Sequence, residues 1–312
     1  MIDLQLKLAV AAAVAWILTR KVTPANAANA HRLWLVVIAS PFLWLAGSAL
    51  IPPVVIATPR EGVIPSGLLD TPQMSATLLA VYVLVAACLL VRLALGVRSV
   101  HCLLRHTRPV DPTELAAGCS VREGDLDLPV TAGFLRPVIV LPANWRTLSP
   151  AALEAILRHE AAHVRRKDCA VSLACALMEA LLWFNPAVWI AAAKVRWFAE
   201  MACDADAARG MNASDYAAAL LNLAARWTSA RRPQFAITAG AETKVSRRIH
   251  LLLDELERGG RRRVLLPIVA GLLIIGMPMA AAFHISGTSV AKRVSAAPVA
   301  DHALIHGLRH HH

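Results

Sequence analysis

The chain has 312 residues, of which 57% are hydrophobic and 17% charged, with 32 Lys+Arg against 21 Asp+Glu. Soluble domains run nearer about 45–50% and 25%, so a disordered nucleic-acid tail and a collagen-like chain are excluded and a membrane protein is expected. A net charge of +11 in so apolar a chain points to orientation in a bilayer before it points to nucleic acid.

A bilayer crossing needs about 20 mostly apolar residues, because a helix rises 1.5 Å per residue through about 30 Å of hydrocarbon. Four stretches are expected to cross: about 4–18, with Lys7 free to snorkel; 33–57, interrupted by Pro41 and Pro52-Pro53; 75–96, carrying Arg92; and 264–283, with Pro267 and Pro278. The first lacks a basic n-region and an evident cleavage site, so it reads as a retained helix. Arg20, Lys21 and Arg32 fall in the first link. Arg98, Arg105 and Arg108 follow the third stretch, and Arg258, Arg261, Arg262 and Arg263 precede the fourth. The positive-inside rule then puts the N-terminus outside and residues 98–263 in the cytoplasm.

The basic balance of 98–263 is expected to face anionic lipid. No recognition motif accompanies it, so no direct nucleic-acid binding is expected. Six cysteines without C-x-x-C spacing argue against a disulfide framework and against a Cys-only zinc site. Residues 284–312 are too short for a folded extracytoplasmic domain, and His310-His311-His312 reads as a tail or appended remnant.

Within the cytoplasmic segment, Val110 to Leu141 carries short β-type runs punctuated by Gly133, Pro137 and Pro142, which fit a small sheet with proline-limited edges. Ser149-Pro150 is an N-cap followed by a first-turn proline, and the helix it opens contains His159-Glu160-Ala161-Ala162-His163. Positions i and i+4 share a face, so both imidazoles can reach one zinc ion, while Glu160 sits one residue round, placed to hold a water. A zinc hydrolase needs a third ligand and an open position. Glu200 is the best candidate, with Cys203 a thiolate alternative. Asp204, one turn on, could accept the remaining N–H of a ligand histidine, and so could Asp168, which alternatively caps the next helix.

Residues 169–193 are apolar enough to look like a fifth crossing, but that would strand Glu200 about 30 Å from the histidines. Asn185-Pro186 breaks the run, so a helical hairpin is expected, rising from Asp168, turning at Asn185-Pro186 and returning through Trp189 to Glu200. Glu179 inside it needs a hydrogen-bonding partner. A helix at 241–257 could couple the zinc domain to the fourth crossing.

These blocks resemble BlaR/MecR-type membrane metallopeptidases. The resemblance is carried by Pro129-Val130-Thr131-Ala132-Gly133-Phe134-Leu135-Arg136-Pro137, by Arg158 to Asp168, by Trp183-Phe184-Asn185-Pro186-Ala187-Val188-Trp189 and by Glu200-Met201-Ala202-Cys203-Asp204, in order across about 110–209. It implies a mainly α membrane protein of about four transmembrane helices, with a cytoplasmic α+β gluzincin-like zinc metallopeptidase domain. One catalytic zinc would be held by His159, His163 and Glu200, with Glu160 as base. It also implies regulation: an external signal activates cleavage of a BlaI/MecI-type transcriptional repressor, or of the chain itself. Antibiotic-sensing members carry a penicillin-binding domain beyond the last crossing, and nothing in 284–312 resembles one, so β-lactam sensing is not carried over.

Peptide-bond hydrolysis is the expected reaction, with Glu160 moving the water's proton to the leaving amine. No oxyanion donor is evident; Tyr216 is a weak candidate and Tyr82 lies in a crossing. The small sheet could take substrate as an added strand. Two alternatives remain: a membrane quality-control or prenyl-protein-type zinc peptidase, and a non-catalytic signalling scaffold with structural zinc. An oligomer is compatible with either.

Overall fold

The structure is a computed structural model that describes residues 2–50, 54–57, 72–110, 119–211, 215–221, 247–252, 254 and 283–286. It is mostly helical with a small mixed sheet. In chain order come α1 (Ile2–Thr19), α2 (Ala27–Leu50), β1 (Val54–Ala57), α3 (Pro72–Arg105), β2 (Arg108–Pro109), β3 (Ser120–Gly124), β4 (Val130–Ala132), β5 (Val138–Pro142), α4 (Pro150–Arg166), α5 (Asp168–Leu181), α6 (Pro186–Arg209) and β6 (Phe283–Ser286).

α2 runs straight through Pro41, where the sequence suggests an interruption. Proline has no N–H for the carbonyl four residues back. Here that carbonyl, on Val37, accepts the Ser40 hydroxyl at 2.7 Å instead. The stretch expected to cross at 33–57 does not stay helical to its end. It leaves the helix at Leu50, and Val54–Ala57 forms a strand. The Pro52-Pro53 pair cannot continue the ladder, and Val54, Val55 and Ile56 are β-branched. β1 pairs with β6 in parallel.

α3 continues nine residues beyond the expected end at Gly96. Among the described residues, one helix, Ala76–Arg105, is long and apolar enough to cross a membrane, and it is almost wholly unburied. α1 is shorter, apolar over Gln5–Thr19. The stretch expected to cross at 264–283 lies outside the described residues except for Phe283, as do 241–246 and 287–312.

Two cores flank the histidine helix. The larger joins α1, α2, α5 and α6 through Trp34, Leu33, Val37, Val188, Val195 and a run of buried alanines, among them Ala27, Ala30, Ala191 and Ala192. Small residues let helix backbones approach closely. His31 on α2 donates from Nδ1 to the Val195 carbonyl of α6 at 3.1 Å. The second core packs Val121, Ile139 and Leu141 of the sheet against Ile156, Leu157 and Ala161 of α4. The sheet order is β2-β3-β5-β4, with β3 and β5 parallel and the other pairs antiparallel, so β4 is an edge. The β4–β5 turn requires Gly133: its φ is +99°, and an added Cβ would stand 2.7 Å from the Arg136 carbonyl oxygen.

Candidate metal centre

α4 starts where local chemistry says it should. Ser149 accepts the Ala152 amide at 3.3 Å, and Pro150 occupies the first turn. It ends at Lys167, whose φ of 58° is left-handed and unique among non-glycine residues described. That one-residue break starts α5 at once and swings Asp168 back beside the helix it has just left. Nδ1 of His163 donates to Asp168 Oδ2 at 2.8 Å. Asn185 caps α6 by accepting the Ala187 amide at 2.9 Å, and Pro186 opens it. Inside the hairpin, Glu179 pairs with Arg196 on the returning helix at 2.6 Å.

α6 therefore lies against α4 and delivers Glu200 to the two imidazoles. The Nε2 atoms of His159 and His163 stand 3.2 Å apart, with Glu200 Oε1 3.5 Å from the second and Oε2 3.7 Å from the first. Behind them, Asp204 Oδ1 lies 3.1 Å from Nδ1 of His159, matching Asp168 behind His163. Both carboxylates hold a proton on Nδ1, so both Nε2 atoms face Glu200, where each can offer a lone pair once it carries no proton of its own. A proton on His159 or a divalent ion in its place offsets the repulsion among three donors that face one point. Donor atoms about 2.0–2.2 Å from one tetrahedral ion stand about 3.3–3.6 Å apart, close to the separations found here. The residues present fit a divalent ion held by His159, His163 and Glu200.

The remaining sequence candidates fall into distinct places. Glu160 points out of the triad, and its Oε2 accepts the Thr131 hydroxyl of β4 at 2.6 Å. Cys203 is fully buried behind His163, 3.4 Å from Nδ1 and 3.6 Å from Asp168 Oδ2, on the side away from Glu200. Burial, reinforced by Asp168, pushes its thiol pKa up, so a thiolate is disfavoured at this centre. Tyr216 is also buried behind a histidine. Its hydroxyl donates to Asp204 at 2.7 Å and lies 3.0 Å from His159 Nδ1, remote from where an oxyanion would form.

Arg248 is the participant that spacing does not reveal. Its Nε and Nη2 each donate to Asp204 at 2.6 Å, and Nη1 lies 2.8 Å from Glu200 Oε2. An Arg-Arg pair ahead of a leucine run was the signal available, and it says nothing about partners.

The sequence profile of the BlaR1 peptidase M56 family matches residues 1–252. The chain belongs to that family. It is similar to the regulatory protein BlaR1 of Bacillus licheniformis, 34% identical over 76 residues, which are 24% of this chain and 13% of that protein. It is also similar to the methicillin resistance mecR1 protein of Staphylococcus aureus, 27% identical over 93 residues, 30% of this chain and 16% of the relative. The matched segments thus span under a fifth of the curated relatives' length. Family membership places this chain among the M56 peptidases and suggests a metal.

The charges at this centre are strongly perturbed. Burial opposes a positive charge on His159, yet hydrogen bonds to Asp204 and Glu200 prevail and raise it to about 10. Burial works against ionisation of Glu200 too, but His159 and Arg248 hold it down at about 2. Arg248 and His159 likewise keep Asp204 ionised against burial. Glu200 remains 40% exposed, whereas His159 and His163 are 12% and 13% exposed, so the centre is open on the Glu200 side. That side faces a cleft of about 1330 Å³ between α3, the β4 edge and the hairpin, lined by Leu93, Val97, Thr131, Phe134, Glu160 and Trp197 among others.

Proposed function

We propose that this chain is an integral-membrane zinc metalloendopeptidase of regulatory signalling. It hydrolyses a peptide bond in a BlaI/MecI-type transcriptional repressor, or in itself, after an external stimulus. The observation that carries this reading is the meeting of two imidazole Nε2 atoms and one carboxylate, each imidazole backed by its own aspartate, at the mouth of a cleft.

His159, His163 and Glu200 hold the ion, and Asp168 and Asp204 fix the imidazole tautomers. When bound, zinc polarises the scissile carbonyl and lowers the pKa of water to about 7. Glu160 takes the proton of the attacking water as the C–O bond forms. It then delivers that proton to the amide nitrogen as the C–N bond breaks, leaving a carboxylate and an amine. The Thr131 hydroxyl aims the Glu160 carboxylate. Substrate lies extended along the free side of β4, where backbone N–H and C=O groups of an edge strand are unpaired.

The membrane arrangement is part of the proposal: three crossings within 1–97, a cytoplasmic zinc domain over 98–263, a fourth crossing at 264–283 and an extracytoplasmic segment 284–312, with the N-terminus outside. The parallel pairing of β1 with β6 supports it. α2 and the 264–282 run lead into the two strands of a parallel pair, so the chain arrives at both travelling in the same direction. The unburied apolar face of α3 supports contact with lipid.

The test is a proteome comparison between cells carrying the native chain and cells carrying Glu160→Ala. A small DNA-binding repressor, or a fragment of the chain itself, is expected to be cleaved only with the native form. Signalling that survives Glu160→Ala with zinc retained would overturn the peptidase reading in favour of a scaffold.

A further inference from the structure

Arg248 reaches the metal centre from the far end of the chain, 44 positions beyond Asp204. It sits on a helical turn at 247–252 whose Leu252 is buried against Ala155 of α4, Ala207 of α6 and Tyr216. Its guanidinium is 13% exposed and makes a fork: two bonds to Asp204 and one to a single oxygen of Glu200. The other Glu200 oxygen is left 3.5 Å from His163 Nε2.

We infer that the segment 247–252 is a latch on the metal centre. Arg248 is its positioning residue: it turns one Glu200 oxygen toward the imidazoles and so sets the affinity for a divalent ion. The inference rests on the metal-centre reading above. A guanidinium beside a cation site would ordinarily weaken cation binding by repulsion. Here Asp204 engages it through two bonds, so the pair presents little net charge to the site, and orientation outweighs repulsion. The latch depends on two things at once, the Arg248 fork and the seating of Leu252. Undocking 247–252 would free Glu200 to rotate into the open cleft, since nothing else among the described contacts holds its Oε2 so closely. The same segment leads directly toward the fourth proposed crossing, so a displacement there would register as a change in metal affinity.

The experiment uses the full chain in detergent micelles and measures the zinc dissociation constant by competition with a chromophoric chelator, with Co2+ absorption as a second readout. Arg248→Gln is expected to weaken zinc binding by about 10–100-fold. Arg248→Lys keeps the charge but lacks the fork, and is expected to stay about 10-fold weak and to shift the Co2+ ligand-field bands. Leu252→Ala, which touches no charge, is expected to weaken binding in the same direction. Arg146→Gln is expected to leave it unchanged, because Arg146 pairs with Glu123 on the sheet and not with the centre. Arg248→Lys or Leu252→Ala binding zinc as tightly as the native chain, with an unaltered Co2+ spectrum, would overturn the latch and leave the metal centre standing. A native chain that takes up no stoichiometric zinc would overturn the metal-centre reading, and the latch with it.

Discussion

Asp168 accepts a hydrogen bond from His163 Nδ1 at 2.8 Å although only five positions separate them, and the reason is the single left-handed residue between their helices. In a continuous helix Asp168 would project about 140° round from His163. The break at Lys167 ends α4 and points α5 back across it. Lys167→Gly removes the Cβ conflict of that conformation and is expected to raise stability by up to about 1 kcal/mol. Lys167→Val is expected to lower it by about 1–2 kcal/mol, since a β-branched side chain tolerates φ near +60° poorly. Thermal unfolding of the full chain in micelles checks both signs.

The two backing aspartates should differ in what they do when neutralised. Asp168→Asn leaves the hairpin folded and is expected to weaken zinc binding by about 10–100-fold. Asp204→Asn also leaves Arg248 with Glu200 as its remaining carboxylate partner and unmasks positive charge beside the ion site, so it is expected to weaken zinc further and to lower stability more than Asp168→Asn does. Metal titrations and melting curves should therefore both place Asp204→Asn below Asp168→Asn.

Glu160 touches neither imidazole, so removing its charge should separate chemistry from metal binding. Glu160→Gln is expected to retain one zinc per chain by elemental analysis while cleavage falls by about 100- to 10,000-fold. Loss of zinc in step with activity would instead make Glu160 a structural member of the site.

The Thr131 hydroxyl acts on the reaction through Glu160. Thr131→Val deletes the 2.6 Å hydrogen bond with little change of volume, and kcat is expected to drop by roughly ten-fold. Thr131→Ser should restore most of it. A Val variant with full turnover would show that Glu160 needs no such support.

In the ion-free chain His159 binds its second proton more tightly than the unfolded chain does, its pKa being raised to about 10 by Asp204 and Glu200 against the pull of burial. The stability this contributes is complete below about 6.5 and is lost as pH climbs through 10. Chelator-treated protein is expected to show a falling Tm between pH 7 and 10. Saturating zinc should remove that fall, because the ion takes the place of the proton, and its binding at pH 8 should release that proton to buffer. Calorimetry in two buffers of different ionisation enthalpy measures the release; a buffer-independent heat would refute it.

Much of the site was legible before any fold was known. His159 and His163 share a face because 3.6 residues make a turn. Ser149-Pro150 and Asn185-Pro186 mark helix starts because both the caps and the prolines act locally, and the hairpin follows from them. The ends of the long apolar runs were less legible. Hydropathy does not register that Ser40 repairs the carbonyl left by Pro41, or that the residues after Pro53 find a partner strand some 230 positions away.

By itself, then, the amino-acid order determined the histidine helix, its reversal into a hairpin and the acidic residue that must come back to it. Each of these depends on contacts within a few residues. Packing of α6 on α4 decided that Glu200 and not Cys203 faces the imidazoles, and the docking of 215–221 and 247–252 on those two helices put Tyr216 behind His159 and Arg248 beside Glu200. Which side of a helix meets its neighbour is a property of two surfaces, and a single stretch of chain carries only one of them.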